Sequence, residues 1–354
     1  MRLYARYVAW EYFKAFLIIF LALELFYVGI DLLTNLKDLP RSANLQLLYV
    51  GLTSLTAVSY VLPISLVFAN IIAHINMVRS NELVSLYALG VSKNSVIFPQ
   101  FFIALFITLF YVGLNCTSFA YAYDYQKNIA KNSSFTKSTT DTFIKFEGKF
   151  IYIKELNSIT NEALNIDIFD LNETDLKLSA FAKSAKFKDG IWQLKDVNLT
   201  KIPSLLELGS EGLDIQNLSQ IDGLKGFKPK SIQSANAEQA STLNIPDTLD
   251  FIFTFKDEGV EINTAKTVFY NLAIFPFFAP FLMMIFYYKL PVAGRFFNLA
   301  LASFIFVLIA LVAWGVLFVL VKFSQSGIVL PEIAILAPVI LLILYAIYLV
   351  KKHY

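Results

Sequence analysis

Apolar and polar positions alternate along this chain on two scales. On the long scale, apolar stretches run approximately over Ala15–Leu33, Leu52–Ile75, Val96–Ala122, Val268–Tyr288, Phe296–Val321 and Ile333–Val350. Each approaches or exceeds the roughly 20 residues that a helix needs to cross about 30 Å of hydrocarbon. The third is long enough to tilt or to project beyond it. On the short scale, the polar block between the third and fourth stretches reads as β-structure. Thr142–Lys154 has two β-rich runs around Glu147-Gly148-Lys149, Ala185–Asn198 repeats the plan around Asp189-Gly190, and Asn165–Leu178 adds a pair around Asn172–Asp175. An Asp-Gly step between alternating runs is a strong hairpin signal. The pattern predicts a polytopic α-helical membrane protein with six transmembrane helices, three before and three after an inserted all-β domain. Short strands with frequent turns point to a sandwich or jelly-roll-like domain of about 120 residues. The organisation is then 1–124 with spans one to three, 125–265 for the β-domain, and 266–354 with spans four to six. Ser231–Ser241 reads as a linker or loop, and Pro246–Glu261 leads back to the membrane.

Composition sharpens this picture. Of 354 residues, 57% are hydrophobic and only 16% charged, against roughly 25% charged in a soluble domain. Residues 125–265 hold 16 Lys/Arg and 20 Asp/Glu, while the rest holds 13 and 7. A basic membrane part thus encloses a mildly acidic soluble part, and no basic face with interleaved aromatics offers itself to nucleic acid. Short flanks set the orientation. With the N-terminus cytoplasmic, Arg2, Arg6, Arg79, Lys93, Lys289, Arg295, Lys351 and Lys352 lie inside, and Lys37, Arg41 and Lys322 outside. Both termini are expected in the cytoplasm, with the β-domain on the far side. The basic start (Arg2, Arg6, Lys14) followed by an apolar run has no small-x-small cleavage site before Asp31 and reads as an uncleaved first span. A single cysteine, Cys116, rules out an intramolecular disulfide and reads as a small buried packing residue.

Between spans two and three lies a short amphipathic segment, Arg79–Ser92. Ser80 or Asn81 can cap a helix, Glu82 suits its first turn, and Gly90 is a natural stop. Leu83, Leu86 and Tyr87 fall on one face. Spacing leaves two readings open: a helix lying in the membrane interface, or one presented to a cytoplasmic partner.

At this point the chain resembles a known family, the LptF and LptG permease subunits of the lipopolysaccharide export ABC transporter. The resemblance rests on Leu62-Pro63, the Asn81–Ser92 stretch ending in Leu-Gly-Val-Ser, Phe150-Ile-Tyr-Ile153, Ala182–Phe187 leading to Gly190-Ile-Trp-Gln-Leu194, and Tyr270 with Pro276 in span four. It covers essentially the whole chain, and the Ile151–Lys154 and Gly190–Leu194 patterns tilt it towards LptG. It implies one of two paired permeases in the bacterial inner membrane, bound to a dimeric LptB-like cytoplasmic ATPase that holds the ATP. Ser80–Gly90 would be the coupling helix, with Glu82, Leu83, Leu86, Tyr87 and Gly90 meeting that ATPase. The β-domain would be periplasmic and hand lipid to an LptC- and LptA-like bridge. Two positions depart from the family: Asp31 stands where some relatives have a basic residue, and Leu272 where a Lys is often found.

Other chemistry is scarce. There is no GxxxxGK[ST] loop for ATP and no HExxH. With only His74 and His353, a zinc site or a Ser-His-Asp triad is implausible, so neither catalysis nor a cofactor or metal in this chain is expected. Glu24 and Asp31, seven residues apart, share a face of span one. They read as a polar wall of a substrate cavity, as a contact across a subunit pair, or as structural partners for a neighbouring span's polar groups such as Thr108, Asn115 or Asn271. His74 with Asn70 and Asn76 reads as an interfacial cluster. An anionic lipid needs an apolar wall beside a cationic rim; Phe26 and Ile30 followed by Asp31, Lys37 and Arg41 offer that order. Asp31 would then pair with a cation, either Lys37 or one on a partner subunit, or receive a positively charged head group. Lys37 and Arg41 also fit snorkelling. In the β-domain, Phe146, Ile151, Ile153, Phe187 and Trp192 either pack a core or line an acyl-chain groove. The competing function is a non-transporting membrane sensor or mechanotransmission module; a secondary transporter would need broken, ion-coordinating helices that the sequence does not display.

Overall fold

The computed structural model describes residues 3–132, 139–158, 160–172, 175–203, 212–234, 243–256, 262–293 and 298–353. Arg2, Arg295, residues 173–174 of the expected turn, residues 235–241 of the expected linker and 257–261 lie outside them. In chain order, α1 (Leu3–Thr34), α2 (Ala43–Arg79), α3 (Glu82–Ala88), α4 (Lys93–Leu114) and α5 (Ala122–Asn132) come first. Six strands follow: β1 (Thr139–Phe146), β2 (Lys149–Asn157), β3 (Glu162–Asn172), β4 (Asp175–Lys188), β5 (Ile191–Lys201) and β6 (Asp214–Gly223). The chain ends with α6 (Pro229–Ser234), α7 (Ile245–Phe255), α8 (Asn263–Ala273), α9 (Phe278–Lys289), α10 (Leu299–Gln325) and α11 (Ala337–Lys352). These elements form two compact units, residues 1–130 with 269–354, and residues 131–268.

Among the described residues, six helical segments are long and apolar enough to cross a membrane: Leu3–Thr34, Ala43–Arg79, Lys93–Leu114, Asn263–Lys289, Leu299–Gln325 and Glu332–Lys352. The first two extend well past the apolar stretches; α2, at 37 residues, is about 55 Å long at 1.5 Å per residue. The third is shorter than expected and ends at Leu114. Asn115 closes α4. Cys116, just beyond it, is exposed where a buried packing residue was expected, because the helix ends before it can turn inward. The Thr117 hydroxyl then accepts the Phe119 amide (3.2 Å) to start a new turn. The fourth is interrupted, because Pro276 lacks an amide hydrogen and the chain tightens into a 3₁₀ turn at Phe275–Phe277 between α8 and α9. Phe278, Ala279 and the run Leu282–Tyr288 on α9 are buried, packed among α2, α4 and α11. The core of this unit surrounds α9 and the second half of α2.

The second unit is all-β with a helical cover. Its strands pair antiparallel in the order β1-β2-β3-β4-β5-β6. The described strands thus make one sequential meander, a simpler connection than a two-sheet roll. The second layer is instead α6 and α7 with Phe227, which closes on the sheet by stacking against Phe146 (4.5 Å). Two hairpins turn at Glu147-Gly148 and Asp189-Gly190, all four residues having positive φ, as tight hairpins of that hand require.

One line crosses the whole sheet. Buried positions alternate along each strand and then skip by three: Thr142 to Thr139, Ile153 to Leu156, Ile166 to Ala163, Ala182 to Ala185 and Val197 to Leu194. The register aligns these steps across all five strands, and the half-buried Leu218 and Ile221 continue them on β6. Within the step, β1, β3 and β5 place Asp141, Asn165 and Asp196 at φ near 50°. Short Asp and Asn side chains tolerate that left-handed backbone, so every strand reverses its inward parity at one row without losing register.

Candidate functional site

In the membrane unit, residues of α1, α2 and α10 enclose a cleft of about 530 Å³. Leu23, Phe26, Tyr27, Ile30, Asp31 and Thr34 contribute from α1 at helical spacing, which puts them on one face. Tyr60, Val61 and Ile64 of α2 and Trp314 of α10 complete it. The aromatics form a ladder: Tyr27 stacks on Tyr60 (5.8 Å), Tyr60 meets Phe318 edge-on (6.2 Å), and Phe318 stacks on Trp314 (5.6 Å). The Lys322 ammonium lies 5.4 Å from the centre of the Phe318 ring.

Phe26, Ile30 and Asp31 are therefore brought together, whereas Lys37 and Arg41 lie exposed on the α1–α2 connection, outside the cleft lining. The partner of Asp31 also differs from expectation. Its Oδ2 accepts from the Tyr49 hydroxyl (2.7 Å) and the Gln126 amide (3.1 Å), and Oδ1 accepts from the Asn35 amide (3.2 Å). Neutral donors on α2, on α5 and beyond the end of α1 thus hold the carboxylate, and Lys37, the cation anticipated within this chain, is not among them. Gln126 was missed because α5 sits at the start of a block read as β. Its own signal is the spacing of Ala122 and Ile129, both buried against Tyr49 and Leu52. Glu24 is half-buried, and its Oε2 is enclosed without a hydrogen-bond partner among the described residues. Thr108 bonds its own helix at the Ala104 carbonyl and Asn115 reaches the Leu272 carbonyl (3.5 Å), so neither partners Glu24 or Asp31.

The short helix α3 stops where the sequence indicated. Gly90 has φ of 81°, its amide donates to the Tyr87 carbonyl (3.0 Å), and the Val91 amide reaches back to the Leu86 carbonyl (3.1 Å). That left-handed closure needs a residue without Cβ strain. Asn81 takes the cap position with φ of 62° and no side-chain cap bond. The face expected to meet a partner points elsewhere. Leu83 is completely buried, Leu86 and Tyr87 pack against the same membrane-unit core, and the Tyr87 hydroxyl bonds that of Tyr287 on α9 (2.7 Å). Burial pushes the Tyr87 phenol up from its ordinary pKa. Val84 and Leu89 are the large apolar residues of this segment that face outward. Glu82 is half-buried and accepts the Tyr7 hydroxyl (2.9 Å).

Residues 6–352, nearly the whole chain, match the family model described as lipopolysaccharide export system permease LptF/LptG. The chain belongs to the LptF/LptG permease family. As an LptF/LptG permease it is a transport subunit and not an enzyme of the usual kind. The family model covers both permeases without separating them, and comparison with individual curated proteins gives no match.

In the β-unit of this LptF/LptG permease, Phe146, Ile151, Ile153 and Trp192 are buried and Phe187 is half-buried. The Trp192 indole donates to the Phe227 carbonyl (2.6 Å) and packs on Phe187 (5.5 Å), while Phe227 also contacts Phe255. These side chains fill the space between sheet and cover, which makes them a packed core in this conformation.

Proposed function

We propose that this permease is one of two that together extract lipopolysaccharide from the outer leaflet of the inner membrane, driven by a cytoplasmic ATPase dimer that carries the nucleotide. Both termini are cytoplasmic, the β-unit is periplasmic, and it passes lipid to a bridge of further β-domains. A second permease of the pair lies beside it. The observation that carries this reading is the α1–α2–α10 cleft: an aromatic and aliphatic wall for acyl chains, in a chain whose family is defined by lipopolysaccharide export. The cations available to the lipid phosphates are Lys37 and Arg41 on the α1–α2 connection, together with Lys322 near the Trp314 wall. Asp31, held by neutral donors, orders the α1–α2–α5 corner beside the cleft, where a carboxylate meets a basic head-group modification better than a phosphate. Coupling to the ATPase runs through α3, with Glu82, Val84 and Leu89 outward and Leu83, Leu86, Tyr87 and Gly90 shaping the helix and seating it on the membrane unit.

A photo-crosslinker at Phe26 or Ile30, in the assembled transporter, should capture lipopolysaccharide without ATP. Reversing the charges at Lys37 and Arg41 should reduce that capture. Equal capture in parent and double reversal would show that those two residues are ordinary interfacial anchors, and no capture in the parent would refute the cleft.

A further inference from the structure

The membrane unit carries a second and larger groove, of about 1190 Å³, which the export reading leaves unused. It lies along the first turns of α1 and one face of α4, with Leu86 contributing from α3. Trp10, Phe13, Phe102, Ile103 and Phe106 supply much of its apolar wall. Trp10, Phe102 and Phe106 are more than half exposed, at 57%, 61% and 70%, so these rings are turned outward from the core. At the other extreme, Tyr4 and Tyr7 join Arg6 near the start of α1, and with Trp10 they form the aromatic set that seats at head-group level in membranes.

Charge decides what this groove fits. Arg6 is the one charged residue in its lining. It is exposed, and among the described residues it has no ion pair. Its neighbours on α1 are occupied: Lys14 pairs with Glu11 (2.6 Å), and Tyr7 donates to Glu82 (2.9 Å). A guanidinium at the mouth of an apolar trough, level with lipid head groups, matches a phosphate on a chain-bearing molecule. A purely apolar helix lying there would leave that cation unmatched.

We propose that this groove is a binding site for an anionic phospholipid of the leaflet on the N-terminal side. Its phosphate lies on Arg6, and an acyl chain runs over Trp10, Phe13, Phe102 and Phe106. Because Leu86 is part of the lining and the Tyr7–Glu82 bond joins the same two helices, a lipid in this place touches both α1 and α3 and braces the short helix. The site is separate from the α1–α2–α10 cleft and does not depend on the substrate assigned to it.

Trp10 is its own reporter. The full chain with Trp314→Phe is reconstituted in phosphatidylcholine bilayers and titrated with phosphatidylglycerol brominated on its acyl chains, or with equally brominated phosphatidylcholine. Trp192 is buried in the β-unit core and contributes a constant background. Brominated phosphatidylglycerol should reach half-maximal quenching at about a fivefold lower mole fraction, the factor that one basic residue is worth at an anionic membrane surface. Arg6→Gln should bring the two lipids level while both still quench. Equal quenching by both lipids in the parent, or a preference that survives Arg6→Gln, would overturn the proposal. Absence of quenching by either would assign the groove to a protein partner instead.

Discussion

The Glu82 carboxylate accepts the Tyr7 hydroxyl, so its removal acts on an outward charge and an internal clasp together. Two substitutions separate these. Glu82→Ala should reduce association with the ATPase and lipid export, measured by co-purification and by export in reconstituted vesicles. Tyr7→Phe removes the clasp and keeps the carboxylate, and should leave ATPase association near that of the parent. If Tyr7→Phe reproduces the Glu82→Ala defect, the carboxylate serves the fold and not the partner. Leu83 is a different case. Its side chain is completely buried, and Leu83→Ala should cost about 2–5 kcal/mol of membrane-unit stability, read in thermal unfolding. Spacing alone put Leu83, Glu82 and Tyr87 on or beside one face of a short helix. It could not say which side the core would take, because a seven-residue helix has apolar residues enough to serve either.

Among the elements, those with a repeated local signal were legible. The six spans announce themselves by length and apolarity, and the two tight hairpins by Glu-Gly and Asp-Gly. Strand β6 was not read, since Asp214–Gly223 is polar and its best inward residues, Leu218 and Ile221, sit three apart and break the alternation that marks a strand. The same step hides in every strand and is visible only once register aligns it. Helix α7 carried a readable start in Asn244, whose side chain accepts the Asp247 amide (2.7 Å), followed by Pro246. The row of left-handed residues gives a direct test. Asp196→Val should lower β-unit stability by about 1–2 kcal/mol, since a branched side chain strains that backbone. Asp196→Gly should stay within about 1 kcal/mol of the parent. Urea unfolding followed by emission of the buried Trp192 distinguishes them; equal losses for the two would mean that the carboxylate and not the backbone matters at this row.

For the molecule as a whole, the proposed orientation in the bilayer rests on the charge bias of its short flanks. With the exposed Cys116 replaced by Ala, single cysteines at Lys145 on β1 and at Lys351 should be labelled from opposite faces by an impermeant thiol reagent in oriented vesicles. Labelling of both from the same face would refute the proposed topology. The cleft was legible only in part for a related reason: its α1 wall is contiguous in sequence, but Tyr60 and Trp314 arrive from helices far along the chain and carry no local mark. The row across the β-sheet has one further consequence. Among the described strands, β1 and β6 are the outermost of the sheet, and an edge strand ordinarily invites other chains to add and aggregate. A straight incoming strand can follow such an edge only as far as the row, where its side chains fall out of phase with the face it joins. Only a strand with a matching step can continue past it, so the line that shapes the sheet also selects which strands its edges accept.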